Sequence, residues 1–406
     1  MSRTDPGIDG GPIIAIHCAA EEEGMDGGKT EQVSAAAQGA RRGLKLIYSY
    51  LVSHVHRVYE SQSLLSQSWS RYPPTSPSSS HEVLRQPHDK RTMVKIAVAG
   101  GSGQVAREVI DALLAAKRHD IIILSRKKPL TSNNALGISW ETVDYNNKEC
   151  LTMALKGVHT VLSFIQLLSD PDQIAQKNLI DAAVGAGVQR FAPSEYGSRC
   201  TVHMPWWQGK EVIREYLREV NREKEVLEYT LFQPGLFLDY LAFPHKTSKY
   251  LDPLQSVIDF QHKRAMVVAG HEDAIMTLTT VSDLAAIIAR AVEYKDKWPT
   301  VSGIRGNWLT FAQLLEIGER IRGGPFAVDR LELRDLEAGI LEASWALEAV
   351  HAAVSSSQAA EMLKTVSIGI LLSSLKGAWE SSDELNRLFP DYTFTSAEDF
   401  LVRVWQ

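Results

Sequence analysis

"MVKIAVAGGSGQVAREVIDALLAAKRHDIIILSRKK", residues 93–128, decides the fold. Residues 94–99 form a short apolar run broken only by Lys95, and the run ends in Gly100-Gly101-Ser102-Gly103. Val105, Val109, Ala112 and Leu113 then recur at the spacing that places side chains on one face of a helix, before a second apolar run over 121–124. These patterns predict strand, glycine turn, helix, strand. Glycine suits such a turn because it accepts positive φ and lets a ligand approach where a Cβ would stand. The helix that follows leaves its first N–H groups unpaired and carries partial positive charge at that end. Gly100, Gly101, Ser102, Gly103, Gln104 and Val105 are therefore candidates for cradling the pyrophosphate of a dinucleotide. In the spacing Gly100-x-x-Gly103-x-x-Ala106 an alanine takes the third glycine's place, which the helix–strand contact tolerates.

The whole chain has 406 residues, 44% hydrophobic and 23% charged, enough to bury a substantial core in one large domain or two smaller ones. Its 49 acidic and 43 basic residues leave a net charge of −6, too mild to point to nucleic acid or an anionic membrane as partner. Cys18, Cys150 and Cys200 lie far apart without the CxxC spacing of zinc or redox sites, so a reducing, cytoplasmic compartment is expected and no metal. The N-terminus lacks the basic start and apolar core of a leader, and the longest apolar patch before Met93, over 46–52, is too short to span a bilayer. Residues 1–92 combine Gly-rich, acidic and Pro/Ser-rich stretches. They read as a disordered or weakly ordered extension, with one amphipathic helix candidate near 40–65 and a flexible linker at "YPPTSPSSS" (72–80).

From Met93 onward the pattern predicts strands over 138–143, 159–164, 189–192 and 229–232, and helices over 148–156, 171–186 and 206–223. Alternation at this spacing implies parallel strands with right-handed crossovers, an α/β doubly wound sheet of the Rossmann type. Beyond Gln233-Pro234-Gly235 the rhythm becomes irregular, with short strands, a helix over 281–294 and a mostly helical end. This assigns 93–235 to a dinucleotide-binding domain and 236–406 to a smaller, mostly helical substrate cap interleaved with the last strands, over the carboxyl edge of the sheet where ligands of such folds bind.

The second strand ends in Ser125-Arg126-Lys127-Lys128, where a site for NAD carries a carboxylate for the ribose 2′-hydroxyl. Arg126, with Lys127 beside it, offers a planar fork to a 2′-phosphate instead, so the expected cofactor is NADP. Asp144 has two readings, an acceptor for the adenine amino group and a turn cap. In "RFAPSEYG" (190–197) Ser194, Glu195 and Tyr196 either face a nicotinamide or shape a loop at the sheet edge. In "GKEVIREYLREV" (209–220) Val212, Ile213, Tyr216, Leu217 and Val220 share one face, with Lys210 on its border. A half-desolvated lysine has a lowered pKa and is fit for proton transfer, whereas one that only lays its stem along apolar surface is not. Trp206 and Trp207, and Phe237 and Tyr240 beyond Pro234-Gly235, either line a substrate pocket or pack a core.

Residues 93–406 resemble the isoflavone reductase-like and NmrA-like atypical short-chain dehydrogenases, particularly fungal members, through "VAGGSGQVAREV", "RFAPSEYG", "GKEVIREYL", "YTLFQPGLFLDY", "TTVSDLAAIIARAV" and "LFPDYTFTSAEDFL". The resemblance implies an NADPH-dependent reductase of a small aromatic, enone or carbonyl molecule. It also implies that Lys210, in the helix after "PSEYG", is the general acid/base; the Tyr-x-x-x-Lys pair of ordinary short-chain dehydrogenases is missing. A second branch binds NADP without turnover and acts as a redox-responsive regulatory partner; retention of Lys210 favours the enzyme.

A shortened chain beginning at Met93 is expected to stay folded and to keep its NADPH affinity, because the strand at Val94 starts the sheet unaided and the linker implies few contacts across it. Thermal unfolding and cofactor titration check this. Precipitation or lost binding would make residues 1–92 part of the fold.

Overall fold

In the computed structural model the residues described are 94–127, 137–348 and 356–406. The extension over 1–92, with its helix candidate and linker, lies outside them. β1 (Val94–Ala99), β2 (His119–Ser125), β3 (Ile138–Thr142), β4 (Thr160–Ser163), β5 (Arg190–Ala192) and β6 (Glu228–Tyr229) form one sheet in the order β3-β2-β1-β4-β5-β6. All its neighbours are parallel. This is the doubly wound order, with the strand sequence reversing direction between β1 and β4.

β1 is apolar on both faces because both are covered. Ile96 and Val98 pack with Val109, Ile110 and Leu113 of α1 (Gln104–Ala115). Ala97 and Ala99 face the other way, toward Leu151 of α2 (Lys148–Ala154), Leu179 and Ile180 of α3 (Ile174–Ala186), and Ile213 and Leu217 of α4 (Gln208–Val220). α5 (Val281–Glu293) joins α1 on its face of the sheet through Leu284, Ile287 and Ile288.

Two elements differ from the periodic pattern. The helix expected over 206–223 opens with a tight 3₁₀ turn, Pro205–Trp207, and becomes α-helical at Gln208; proline at the first position suits such a start. The strand expected over 229–232 changes neighbours midway. Thr230 N–H donates to Phe191 O, and Leu231 N–H to Thr300 O on the opposite side. β7 (Leu231–Gln233) therefore pairs with the downstream segment 301–303.

Beyond Gly235, short strands build two three-stranded sheets: β8 (Leu236–Phe237), β11 (Ile275–Thr279) and β13 (Asn307–Thr310) in one, β9 (Ile258–Asp259), β10 (Arg264–Val268) and β14 (Ala327–Leu331) in the other. β12 (Val301–Gly303) stays with β7. The helices Phe311–Arg322 and Ser356–Leu375 accompany them, and Met266, Leu278, Phe311, Leu371 and Trp379 form a second core. Among the described residues no helix is long and apolar enough to cross a membrane.

Where β1 ends, Gly100 has φ +73, and a Cβ there would lie 2.7 Å from the carbonyl oxygen of Phe164, just after β4. Gly103 has φ −68, and its nearest neighbour to a Cβ is Gly100 O at 3.3 Å. Gly100→Ala is therefore expected to lower the unfolding free energy by about 2 kcal/mol or more, from strain and backbone collision. Gly103→Ala should cost well under about 1 kcal/mol. Chemical denaturation of both variants tests the contrast, and equal losses would remove the Gly100 argument.

Candidate active site

The carboxyl ends of β1, β2, β4 and β5 bring the sequence candidates to one edge of the sheet. Gly103 N–H donates to Gly100 O (3.0 Å), closing the turn. Gly103 also caps α1, with no side-chain cap and no acidic residue in the first turn. The positive end of this helix thus faces no carboxylate of its own, which suits an anion. Ser102 is exposed, and Gln104 and Val105 are half-buried. Gly101 serves packing: a Cβ there would come 2.7 Å from Ile123 Cγ2 of β2.

Arg126 and Lys127 are exposed just past β2. Ser125 Oγ turns this loop, donating to Lys127 O (2.8 Å) and accepting from Lys127 N–H (3.2 Å). Asp144 is exposed, and its Oδ1 accepts from Asn146 N–H (2.9 Å), the geometry of a turn cap. Ser194 N–H donates to Gln176 Oε1 (3.1 Å), which also accepts from Ser163 Oγ at the end of β4 (3.3 Å).

Gln104 is committed elsewhere. Its amide donates to Asp252 Oδ2 (2.5 Å) and accepts from Asp252 N–H (3.2 Å). The same segment donates Tyr250 N–H to Glu108 (2.6 Å) and Lys249 Nζ to Asp111 (2.6 Å), and the Arg107 guanidinium lies 3.8 Å from the Tyr250 ring centre. Residues 249–252 thus strap the outer face of α1 beside the glycine turn. No sequence periodicity announces this.

Tyr196 has φ +35 and lies flat on Phe164, ring centres 4.4 Å apart. Phe232 and Phe237 share its cluster, and Phe237 meets Tyr240 edge-on at 5.7 Å. The Tyr196 hydroxyl is buried with no hydrogen-bond partner among the described residues. Burial, then the charge of Glu195, pushes its pKa up. Trp206 goes to the second core instead: it packs on Trp207 (6.4 Å), and a Cβ on Gly369 would come 2.5 Å from its ring.

Lys210, expected on the border of its helix face, is only 2% exposed. The loop after β5 and the turn Pro205–Trp207 close over it. Nζ donates to the main-chain carbonyl of Glu195 and lies 3.7 Å from the centre of the Trp207 ring. A Cβ on Gly197 would come 2.9 Å from that Nζ and 2.8 Å from Trp207, so only glycine leaves room for both. Burial pulls the Lys210 pKa down to about 7; Glu195 and Glu211 oppose the fall and Arg214 adds to it. The Glu195 carboxylate is held by Arg214 through Nε (3.1 Å) and Nη2 (2.5 Å). Arg214 follows Lys210 by one helical turn, a spacing readable in the sequence that sets both cations on one side of α4. An amine near neutrality, shielded from water against the face of Trp207, is equipped to transfer a proton.

A model of the NmrA-like family matches residues 92–401. Oxidoreductase swnN of Metarhizium robertsii is 29% identical over 340 residues, covering 77% of this chain and 98% of its own. Oxidoreductase BOA1 of Botryotinia fuckeliana is 30% identical over 309 residues, 74% of this chain and 95% of its own. The solved structure of AtPrR2 with NADP+ and (+)pinoresinol has the same fold, with a TM-score of 0.55 at 19% identity over 77% of this chain and 99% of that one.

Proposed function

We propose that this chain, which belongs to the NmrA-like family, is an NADPH-dependent reductase of a small aromatic, enone or carbonyl molecule, with Lys210 as its proton donor. The buried Lys210, its pKa lowered to about 7, carries the proposal. Two similar fungal proteins named as oxidoreductases and a solved neighbour described with NADP+ support it.

The glycine turn and the uncapped start of α1 fit a pyrophosphate, and Arg126 with Lys127 fits a 2′-phosphate at the end of β2. Asp144 and Ser194 stand at the same edge for the adenine and nicotinamide ends. When bound, NADPH supplies a hydride, so that R₂C=O + NADPH + H⁺ gives R₂CHOH + NADP⁺, with the corresponding saturation for an enone. The remaining proton comes from the Lys210 ammonium, given to the atom that gains negative charge, after which the neutral amine is reprotonated from solvent. Tyr196, Phe237 and Tyr240 supply the aromatic wall for the substrate, while Trp206 acts one step back by steadying Trp207.

Lys210→Ala is expected to leave the NADPH dissociation constant within a few fold, since the phosphate contacts lie elsewhere, and to lower kcat by about 10² to 10⁴. Near wild-type kcat in the variant would clear Lys210 of this role. Tight NADPH binding with no turnover of aromatic enones or aldehydes in either protein would favour a non-catalytic NADP sensor.

The pH dependence follows from the sign of the shift. The ammonium is the active form, so kcat/KM should be flat below about 7, where Lys210 is charged, and fall about tenfold per unit above it. A profile flat to pH 9 would rule the donor out.

Wild-type protein is expected to bind NADPH at least about tenfold more tightly than NADH, about 1.4 kcal/mol, well within a bidentate arginine–phosphate contact. Calorimetric titration of Arg126→Ala with both cofactors should find that preference gone. An unchanged preference would place the 2′-phosphate elsewhere.

A further inference from the structure

We propose that Glu195 and Arg214 are a buried positioning pair for Lys210: Arg214 takes up the Glu195 carboxylate, so that Lys210 is left with the Glu195 main-chain carbonyl as its partner. The consequence for turnover rests on Lys210 being the proton donor; the effect on the lysine itself does not.

The geometry is specific. Glu195 and Arg214 are 3% and 5% exposed. Both carboxylate oxygens meet the guanidinium fork, at 3.1 and 2.5 Å. The remaining Arg214 donors reach Arg199 O (2.9 Å), Ser198 O (3.3 Å) and Glu211 Oε1 (2.7 Å). Arg214 therefore ties the loop 195–199 to α4 at the point where that loop presents a carbonyl to Lys210 Nζ.

A buried ion pair is a poor way to gain stability, since apolar groups of similar volume often do as well or better. Here two cations one helical turn apart face one fully buried carboxylate, and like charges at that spacing repel. Arg214 claims both oxygens of the carboxylate. Lys210 is left with a neutral acceptor and a ring face, a setting in which the neutral amine is accessible. The charged or ionisable groups around the two cations are Glu195 and Cys200 from the loop and Glu211 from α4. Glu211 is half shared with Thr201 Oγ1 (3.2 Å) and Arg214. Arg214 is held above its ordinary pKa, because attraction to Glu195 and Glu211 outweighs the opposing burial, and so it stays charged throughout.

The test titrates Lys210 directly, following the ¹⁵N resonance of its Nζ in lysine-labelled full-length protein, assigned by its absence in Lys210→Ala. Glu195→Gln keeps the shape and removes the negative charge, so the midpoint should fall by about one unit; Arg214→Gln removes a neighbouring cation and should raise it by about one unit. The double variant should return to within about half a unit of wild type. If Arg214→Gln does not fold, the difference between Glu195→Gln and the double variant decides. A purely structural pair would not move the midpoint in opposite directions. Unchanged midpoints, or shifts of one sign in both single variants, overturn the proposal. The alkaline limb of kcat/KM, measured alongside, is expected to follow the midpoints. Midpoints that move while the limb stays put would uphold the pair and discard Lys210 as donor instead.

Discussion

The site exists because β1 is buried on both faces while its neighbours lead the chain in opposite directions. The sheet is extended one way through β2 and β3 and the other way through β4, β5 and β6. The loops that leave β1 and β4 must therefore diverge, and the crevice between them is where ligands of such sheets bind. Gly100 sits in that crevice where a Cβ would run into the backbone of Phe164. A side chain there would force the two loops apart. Everything assigned to the site hangs on this approach: the start of α1 on one side, the Phe164–Tyr196 stack on the other.

The helix starts differ in their caps, and α3 and α4, like α1, have none from the side chain at the N-cap position. Thr280 caps α5 by accepting from Asp283 N–H, and Thr310 caps Phe311–Arg322 with a full capping box. α1 begins on a glycine with no side-chain cap and no acidic residue in its first turn. A cap contributes roughly 1 kcal/mol, so the omission is a cost in stability and leaves the helix's positive end open to an anion. The strap at residues 249–252 covers the outer face of α1 through Gln104, Glu108 and Asp111, a face that points away from the sheet.

The doubly wound sheet was legible because each strand and helix satisfies its own local pattern: the apolar run of β1, the periodic face of α1, the spacing to β2. The place of Arg126 just past β2 was legible for the same reason, since the end of that strand follows from the pattern. What periodicity cannot show is which distant segment closes over a half-apolar face. Lys210 sits on a helix border by its own sequence, and its full burial comes from the loop 195–197 and the turn Pro205–Trp207 folding onto it. The same limit separates Trp206 from Tyr196: both are aromatic residues near the sheet edge, but one joins the second core and the other the stack beside α1. Asp144 caps a turn through Oδ1, which accepts from Asn146 N–H, a contact that leaves the adenine reading as open as the pattern did.

Burial acts in opposite senses on two titratable side chains, Tyr196 and Lys210. The Tyr196 hydroxyl is buried without a partner among the described residues, a state that costs about 1–3 kcal/mol in a protein interior. Burial, and then the nearby Glu195 charge, disfavour its phenolate and raise its pKa well above the usual range. Lys210 is buried as deeply, yet burial acts on a cation in the opposite sense and brings its pKa to about 7. Burial therefore fixes the proton on the phenol and loosens it on the amine. Glu195 acts on both in one sense: its charge holds the proton on Tyr196 and opposes the fall at Lys210.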